Sequence, residues 1–435
     1  MIDLHKRIFT NQVQHRAEGD DVVLAGWAAD IRNLGKIAFI KLRDREGFVQ
    51  LTALQDFKQF ATLKDIPKES VVSVHGKVQT GKQKSGAKEV VLHDLEVLSA
   101  SDPNLPIDIS GTIPTSLDKR LDNRFLDLRN PRNLAIFKVR SMVNWAVRQF
   151  MMKEGVIEMQ TPKIISQGAE GGATLFPVVY YDKKAYLSQS QQLYKQMMLI
   201  AGFEKVFEIG PSFRAEKSHT MRHFTEFTQI DFEMSFINDE DDVLGFLERL
   251  FVHVCTTVNE LCQEQLRMLG VTIDVPTLPF PRITVAKAIE LLNEEGAKLP
   301  PDFDLGIEEE KKLGELIRKK FKTDAYFITK YPSSQRAFYI MNDNGVSRGF
   351  DFEYRGTELV SGGQREHRYP VLCKQIEGKG LVLKTFDFYT MPFKYGAPPH
   401  GGFGLGIDRL TMKLLNLENI REACLFPRDP ERVVP

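Results

Sequence analysis

Five short β-type runs follow one another between residues 22 and 98, and they constrain the fold more than any other feature of this chain. The runs are VVLAGW, IAFIKL, FVQLTAL, VVSVHGKV and EVVLHDLEVL, separated by turn residues such as Asn33 and Gly47. Five strands within about 80 residues match the size of an OB-fold barrel, whose exposed strands commonly bind single-stranded nucleic acid. A β-domain of another topology fits the same runs. We expect residues 1–98 to form the barrel.

The rest of the chain has room for a second, larger domain. The stretch SASDPNLPIDISGTIP, residues 99–114, has three prolines and no sustained periodicity, which is typical of an interdomain linker. We assign residues 99–130 to this linker or hinge and residues 131–435 to the larger domain. Of the 435 residues, 42% are hydrophobic and 27% are charged, a composition typical of soluble globular proteins.

Composition also narrows the classes of function. Lysine plus arginine and aspartate plus glutamate both total 58, so the net charge is zero and any nucleic-acid surface must be local. The four cysteines form no CxxC pair and have no nearby histidine at zinc-finger spacing, which predicts reduced thiols and disfavours zinc. The first residues lack a signal-peptide pattern, and no apolar run approaches the roughly 18 residues of a membrane span. We expect a cytoplasmic protein without a membrane partner.

Helical and strand patterns alternate in the larger domain and predict an α+β fold. Apolar residues recur at helical spacing from Ile136 to Phe150, and Gly155 stands where a left-handed cap would end this helix. A β-type run, VIEMQTP, then stops at Pro162. Further β-rich runs include KVFEIGPSFR and FTEFTQIDFEM, whereas residues 241–261 and 308–320 have helical patterns.

The densest group of chemically active side chains is FRAEKSHTMRHFTEFTQIDFEM, residues 213–234. A polar, basic loop between two strand-like runs indicates a hairpin. Arg214 and Glu216 lie two residues apart and face one side of a strand, and Asp231 and Glu233 have the same relation on the returning strand. Such charges are often solvated pairs, but the interleaved phenylalanines favour a polyanionic ligand with an aromatic ring.

A glycine-rich segment, PPHGGFGLGIDRL, covers residues 398–410. It lacks the βαβ context and the acidic residue of a dinucleotide-binding fingerprint. Glycines that let a backbone approach a nucleotide, followed by Arg409 in a helix, suggest a site for a triphosphate or a stacked base. For the glycines alone, a plain turn before a helix is the favoured interpretation.

The segment GFDFEYRGTELVSGGQREHR, residues 349–368, combines hard oxygen ligands with an arginine. Asp351 and Glu358 are ligands of the type that Mg²⁺ prefers, and Ser361 could add another oxygen. Arg365 offers a planar fork that can grip a carboxylate through two parallel hydrogen bonds.

Together these three segments resemble motifs 2 and 3 and the intervening magnesium region of the class II aminoacyl-tRNA synthetases, and residues 155–162 resemble motif 1. More specifically, the chain resembles the archaeal-type aspartyl-tRNA synthetases of subclass b. The supporting segments are RLDNRFLDLR, EGGATLFP, QQLYKQ, SGGQREHR, PPHGGFGLG and LFPRD. The resemblance spans nearly the whole chain. It implies an N-terminal OB-fold barrel and a catalytic domain built on an antiparallel β-sheet flanked by helices.

The resemblance also implies a role for each matching residue. Arg214 would bind the ATP α-phosphate and the amino-acid carboxylate, Glu216 would meet the adenine amino group, and Phe227 and Arg409 would sandwich adenine. The implied ATP-binding set is Arg214, Ala215, Glu216, Arg222, His223, Phe224, Phe227, Glu358, Gly406, Ile407, Asp408 and Arg409. The implied aspartate-binding set is Glu170, Gln192, Leu193, Tyr194, Lys195, Arg214, Asp231, Ser361 and Arg365, with Glu170 and Asp231 receiving the α-ammonium group.

The implied reaction needs no protein nucleophile. The aspartate carboxylate attacks the α-phosphorus of ATP, pyrophosphate leaves, and aspartate passes to the terminal ribose 3′-hydroxyl of tRNA-Asp, with tRNA-Asn left open as a second acceptor. Alignment and positive charge would carry the catalysis. The catalytic residues would be Arg214, Arg409 and Glu358, and Mg²⁺ would be held by Glu358 and Ser361 with Asp351 in support.

Aspartate and asparagine differ in charge and in hydrogen bonding. Lys195 and Arg365 supply only donors, which suits a carboxylate and opposes a carboxamide NH₂ group. The asparaginyl members of the family generally lack a lysine at the position of Lys195 although they share the arginine, so Lys195 is the most discriminating single residue. An asparaginyl-tRNA synthetase is the alternative. A non-catalytic RNA-binding paralogue and an amide-forming paralogue are further rivals. The joint presence of Arg214, Glu358 and Arg409 opposes the first, and the barrel opposes the second.

The barrel would bind the tRNA anticodon in a homodimeric enzyme. Phe39 offers a stacking face, and Arg32 and Gln50 offer hydrogen bonds to bases, although Phe39 could equally be a packing residue. Two features conflict on the discrimination of tRNA-Asp from tRNA-Asn. Lys84 matches the lysine of discriminating enzymes, whereas Ala29 stands where those enzymes often carry a tryptophan.

Overall fold

The computed structural model describes residues 1–81, 86–168, 174–216 and 224–435. The chain divides into two compact units, Met1–Pro131 and Arg132–Pro435. Among the described residues, no helix is both long enough and apolar enough to cross a membrane.

The first unit contains the expected five-stranded closed barrel, in the order β1-β2-β3-β5-β4 with β4 pairing back onto β1. Alternation in β2 shows why these residues form a barrel, because Ile40 and Leu42 are fully buried while Lys41 between them is exposed. The strands are β1 (Asp21–Asn33), β2 (Ile37–Asp44), β3 (Gly47–Leu54), β4 (Val71–Thr80) and β5 (Lys88–Ser99). Short 3₁₀ turns cover Leu4–Lys6, Thr10–His15 and Phe60–Asp65, and two short helices follow, α1 (Leu117–Asp122) and α2 (Arg124–Asp127).

Helices and strands alternate through the second unit, as the α+β prediction requires. The helices are α3 (Pro131–Lys153), α4 (Gln192–Met198), α5 (Glu240–Leu261), α6 (Gln263–Leu269), α7 (Val285–Glu294), α8 (Ile307–Phe321), α9 (Tyr369–Gly378), α10 (Asp387–Lys394) and α11 (Ile407–Leu414). The strands are β6 (Ile157–Glu158), β7 (Ile164–Ile165), β8 (Pro177–Tyr180), β9 (Lys183–Leu187), β10 (Lys205–Phe213), β11 (Glu226–Ser235), β12 (Arg282–Thr284), β13 (Ala325–Thr329), β14 (Asn342–Asp343), β15 (Val346–Ser347), β16 (Gly349–Tyr354), β17 (Glu358–Gln364) and β18 (His400–Gly406). Single turns lie at Leu199–Phe203, Ser333–Gln335, Leu383–Phe386 and Ile420–Ala423.

An eight-stranded sheet forms the centre of the second unit, in the order β12-β13-β16-β17-β18-β11-β10-β6. The six inner strands are antiparallel, as expected, but each edge strand pairs in parallel with its neighbour. One face packs against α3, α5 and α11 in a continuous apolar core, where the rings of Phe232 and Phe246 stack with centroids 4.1 Å apart. The predicted helix is confirmed as α3, and Gly155 takes the left-handed conformation after it (φ 72°).

The glycine-rich segment is a strand in the middle of this sheet, so the interpretation as a plain turn is wrong. Residues 400–406 form β18, which pairs with β11 on one side and β17 on the other. Close packing requires glycine here, since a Cβ atom at Gly402 would lie 2.0 Å from the carbonyl oxygen of Phe232. The strand ends at Gly406, and α11 begins at the next residue.

Candidate active site

A cavity of about 440 Å³ opens on the large sheet, and most of the predicted site residues line it. Strands β11, β17 and β18 contribute lining residues, and Arg214 directly follows the end of β10. The predicted residues among its walls are Gln192, Arg214, Glu216, Phe224, Phe227, Asp231, Glu358, Ser361, Arg365, Gly406, Asp408 and Arg409. Residues from four separate parts of the sequence therefore meet in one site.

Several predicted residues do not line the cavity. Lys195 lies beneath it, Leu193 packs into an apolar cluster with Phe338, and Ile407 belongs to the main core. Ala215, Tyr194 and Asp351 are also outside the lining, although Asp351 contacts it through Arg336. Glu170, Arg222, His223 and Lys84 lie outside the described residues.

One end of the cavity combines arginines with an aromatic ring. The Arg214 guanidinium lies over the Phe227 ring, 5.4 Å from its centroid, and Glu216 lines the same region. The Arg409 Nη1 donates to the carbonyl oxygen of Glu358 at 3.0 Å, which ties α11 to β17. A flat aromatic ring beside the Arg214 guanidinium, in a cavity that Arg409 also lines, suits a nucleotide, because one part can stack while the phosphates meet positive charge.

The other end rests on a buried group of two cations and two carboxylates. Arg365 Nε donates to Glu233 Oε1 at 2.8 Å, and Lys195 Nζ lies 3.2 Å from Glu233 Oε2. Lys195 also donates to Asp231 Oδ1 at 2.9 Å and to the carbonyl oxygens of Phe232 and Phe403. The two predicted cations therefore converge on one carboxylate, and Arg365 and Asp231 reach the cavity.

These four charges offset one another, which changes the expected basis of selectivity. Burial alone would raise the pKa of Glu233, but the charges of Arg365 and Lys195 outweigh it and hold that pKa below its usual range. The prediction considered only the two cations. With Asp231 and Glu233 included, the local charge is balanced, so the two cations do not by themselves make this end of the cavity positive.

A chain of buried hydrogen bonds connects this region to Gln192. His400 Nδ1 lies 2.8 Å from the carbonyl oxygen of Pro398, which can only accept, so Nδ1 carries the proton. His400 Nε2 then accepts from Gln196 Nε2 at 2.8 Å. Gln196 Oε1 in turn accepts from Gln192 Nε2 at 2.9 Å and from the Tyr389 hydroxyl at 3.0 Å. The amide of Gln192 is thereby oriented, with its carbonyl oxygen left as the acceptor for a ligand.

The proposed metal ligands are clustered, and their chemistry fits a divalent cation. Glu358 and Ser361 line the cavity, and Arg336 bridges Asp351 and Ser361, with Nη1 3.0 Å from Asp351 Oδ1 and 3.2 Å from Ser361 Oγ. Burial raises the pKa of Glu358 to about 7, with a further rise from Asp351. Carboxylate and hydroxyl oxygens are the hard ligands that Mg²⁺ prefers, and Arg336 at present pairs with two of them.

Sequence reasoning missed several residues that line the cavity, and three of them carry polar groups that the site can use: Gln229, Arg336 and Tyr339. Gln229 stands two residues before Asp231 on β11 and donates to its Oδ2 at 2.5 Å, so the same alternation that selected Asp231 could have found it. Arg336 and Tyr339 lie in an irregular segment before β14. No periodicity or motif marks that segment, and only the three-dimensional pairing of Arg336 with Asp351 reveals it.

The predicted anticodon residues share one face of the barrel. Arg32 on β1 and Phe39 on β2 are directly opposite each other, and Gln50 on β3 is opposite Lys41. Phe48, which the sequence reasoning did not select, is exposed on the same face with Lys41 Nζ 4.0 Å from its ring centroid. Ala29 is the extra residue of a β-bulge in the β1–β2 pairing. Within the described residues, this face therefore combines two aromatic rings with cations.

Fold and site together define a class II synthetase architecture, and comparison with known families agrees. Residues 116–430 match the family described as tRNA synthetases class II (D, K and N), and residues 22–98 match the OB-fold nucleic acid binding domain. The first match covers more than half of the chain. The chain belongs to the class II tRNA synthetases of this group.

Full-length relatives narrow the comparison further. The chain is 49% identical to the aspartate–tRNA(Asp) ligase of Pyrococcus horikoshii, over 98% of this chain and 99% of the relative. It is 48% identical to the aspartate–tRNA(Asp/Asn) ligase of Methanopyrus kandleri, over 99% and 100%. Among solved structures, the asparaginyl-tRNA synthetase of P. horikoshii bound to asparaginyl-adenylate is similar at 35% identity, with a TM-score of 0.91 and full coverage of both chains.

Gly404 provides a test of the cavity that leaves the fold intact. A Cβ atom there would meet only Asp231 Oδ1 at 3.8 Å and Gln229 Oε1 at 3.9 Å, so a methyl group fits the protein but occupies the end of the cavity that Asp231 and Arg365 line. We expect Gly404→Ala to leave the urea unfolding midpoint within error and to lower amino-acid-dependent ATP–pyrophosphate exchange at least about tenfold. The matched control, Gly245→Ala on α5, meets nothing within 4 Å and should leave the exchange rate unchanged. Unchanged exchange in Gly404→Ala would show that the cavity is misassigned.

His400 provides a test by pH. Burial lowers its pKa to about 4, although Glu233 raises it, while Arg365 and His367 lower it. The unfolded chain therefore takes up a proton at His400 near pH 6.5, whereas the folded chain takes it up only near pH 4. The free energy of unfolding accordingly decreases as pH falls from about 6.5 to about 4. His400→Gln lacks this titration. The difference in unfolding free energy between wild type and this variant should therefore shrink by about 2 kcal/mol as pH is lowered from 7 to 5. Parallel pH profiles for the two proteins in urea titrations would contradict the assignment.

Proposed function

We propose that this protein is an ATP-dependent aspartate–tRNA ligase. It would activate L-aspartate to aspartyl-adenylate with release of pyrophosphate, and then transfer aspartate to the 3′ end of tRNA-Asp, with tRNA-Asn as a second acceptor to be tested. The observation that carries the proposal is the joint fixation of Lys195 and Arg365 by Glu233 at the amino-acid end of the cavity. Relatives named aspartate–tRNA ligases at 48–49% identity support it.

The adenylation step would depend on alignment. Asp231, beside the oriented Gln192, would accept the α-ammonium group of aspartate, together with Glu170. Arg365, whose Nε and Nη2 donate to Glu233, would meet the side-chain carboxylate with Nη1 and the remaining Nη2 hydrogen. Arg214 would contact the attacking carboxylate and the α-phosphate, where negative charge spreads during in-line displacement. Phe227 and Arg409 would hold adenine between them.

Magnesium would be the metal of this reaction. Glu358 and Ser361 would hold it and Asp351 would support them, because these are the hard oxygens next to the proposed phosphate site. When bound, the ion supplies positive charge that offsets the charge of the polyphosphate. Arg336, which now pairs with Asp351 and Ser361, is the residue positioned to contact either those ligands or a phosphate.

Pyrophosphate exchange tests the amino-acid assignment directly. We expect aspartate to drive exchange with a kcat/KM at least about 100-fold above that of asparagine, because charged donors fixed in direction leave a carboxamide NH₂ without an acceptor. The similarity to an asparaginyl-tRNA synthetase structure makes asparagine the essential competitor. Exchange driven by asparagine alone would replace the proposal with an asparaginyl enzyme.

We further propose that residues 1–98 bind the anticodon, that residues 99–130 link them to a catalytic domain at 131–435, and that the enzyme is a cytoplasmic homodimer. The face that carries Arg32, Phe39 and Gln50 would contact anticodon bases. This assignment is supported by the OB-fold match over residues 22–98.

A stacking contact in the barrel should affect charging but not activation. Stacking of a base on an aromatic ring contributes about 1–3 kcal/mol, so Phe39→Ala should raise KM for tRNA-Asp about 5- to 150-fold in aminoacylation of purified transcripts. Exchange without tRNA should remain at the wild-type rate. Phe321→Ala, which removes an exposed ring of α8, is the matched control. Equal charging of tRNA-Asp by wild type and Phe39→Ala would refute the role of Phe39. Charging of tRNA-Asn by the wild type, measured in parallel, determines whether both tRNAs are acceptors.

A further inference from the structure

A second group of metal-ligating side chains lies on the outer surface of the barrel, on strands β1, β4 and β5. Asp21, His75 and His93 each offer one ligand atom, and these three atoms all lie within 4.8 Å of one another. The group is partly exposed and uses none of the residues assigned to catalysis or to the anticodon face. We infer that Asp21, His75 and His93 form a zinc-binding site that joins the three strands.

Strand pairing explains why these residues meet. His75 is opposite Asp94 in the β4–β5 ladder, but the next residue, Gly76, is opposite Leu92, so His93 is the extra residue of a β-bulge. The bulge directs His93 towards His75, and the two rings meet edge to face with centroids 5.7 Å apart. On the other side, His75 is opposite Val23, two residues from Asp21 on the same face of β1.

The geometry around His75 fits tetrahedral zinc. With Zn–N and Zn–O bonds of about 2.0–2.1 Å, neighbouring ligand atoms of a tetrahedron lie about 3.3 Å apart. His75 Nε2 is 3.4 Å from Asp21 Oδ1, close to that value. Exposed side chains on fixed strands can bring His93 to the same ion by rotation of the ring. Water would take the fourth position, since the cluster faces solvent.

Asp94 provides an independent observation in favour of a ligand site. Its Oδ2 lies 3.5 Å from His75 Nδ1, on the opposite side of the ring from Asp21. Histidines that bind metals commonly donate their other ring nitrogen to a carboxylate, which orients the ring and makes the ligating nitrogen more basic. Imidazole and carboxylate ligands suit Zn²⁺, and Cu²⁺ and Ni²⁺ would compete for the same set. The expectation that zinc is disfavoured rested on cysteine spacing, which says nothing about residues joined by strand pairing.

The experiment uses the untagged full-length chain, treated with EDTA and returned to neutral buffer with excess Mg²⁺ to occupy the proposed catalytic site. Co²⁺ serves as the spectroscopic probe and Zn²⁺ as its competitor. We expect one equivalent of Co²⁺ with the visible absorption of a tetrahedral nitrogen–oxygen site, displaced by Zn²⁺. We also expect Zn²⁺ to raise the Tm of the barrel, because an ion that binds only the folded state stabilises it.

Single variants separate this site from other places where zinc could bind. His75→Ala, His93→Ala and Asp21→Asn should each abolish the tetrahedral spectrum and the zinc-dependent rise in Tm, and Asp94→Asn should weaken zinc binding about 10- to 100-fold. His5→Ala, which removes an exposed histidine of the same unit, is the matched control and should bind like wild type. Equal zinc binding by wild type and His75→Ala, or no binding by wild type, would overturn the inference. Neither result bears on the proposed aminoacylation activity, because exchange and charging are measured separately.

Discussion

The end of the cavity that would hold the amino acid depends on one buried carboxylate. Glu233 is fully buried on a central strand, where an unpaired charge would be very unfavourable, and Arg365 and Lys195 compensate it from two other elements. Removal of any one member leaves the others buried with uncompensated charge. The group therefore resists displacement, and it fixes the direction in which Arg365 presents its donors to the cavity. On the proposed function, whose chemistry rests on alignment, this fixation would matter more than net charge.

The sheet brings these members together and leaves space above them. Glu233 and Asp231 come from β11, Arg365 follows β17, and Lys195 reaches in from α4. Glycines on β17 and β18 remove side chains where the backbones approach closely and where the cavity opens. The aromatic core on the opposite face, with Phe232 stacked on Phe246, holds the same strands rigid. Apolar packing on one face thus supports the polar constellation on the other.

Local patterns were sufficient for much of this structure. Alternation predicted all five barrel strands, helical periodicity predicted α3, and the period of two along β11 placed Asp231 and Glu233 on one face. The choice of roles came from the family resemblance, and many of those residues line one cavity. Glycine-rich β18 was misjudged because glycine has low strand propensity, and its place in the sheet is decided by close backbone packing with β11.

Long-range contacts could not be predicted in this way. Nothing local marks Arg336 as the partner of Asp351, or Gln196 as the link between His400 and Gln192. The burial of Lys195 was also unforeseen, because a lysine on a short helix is ordinarily solvated. In each case the determining partner lies on an element distant in sequence, so the interaction exists only after the sheet has formed.

The steady-state kinetics of Glu233→Gln with aspartate test the central claim most directly, with the exposed Glu260→Gln as the control. Loss of a negative charge makes the site more positive, which by net charge alone would favour a dicarboxylic substrate. If fixed donor direction governs recognition, kcat/KM for aspartate falls by about 100-fold while KM for ATP stays near its original value. An unchanged or higher kcat/KM for aspartate would contradict this account of the site.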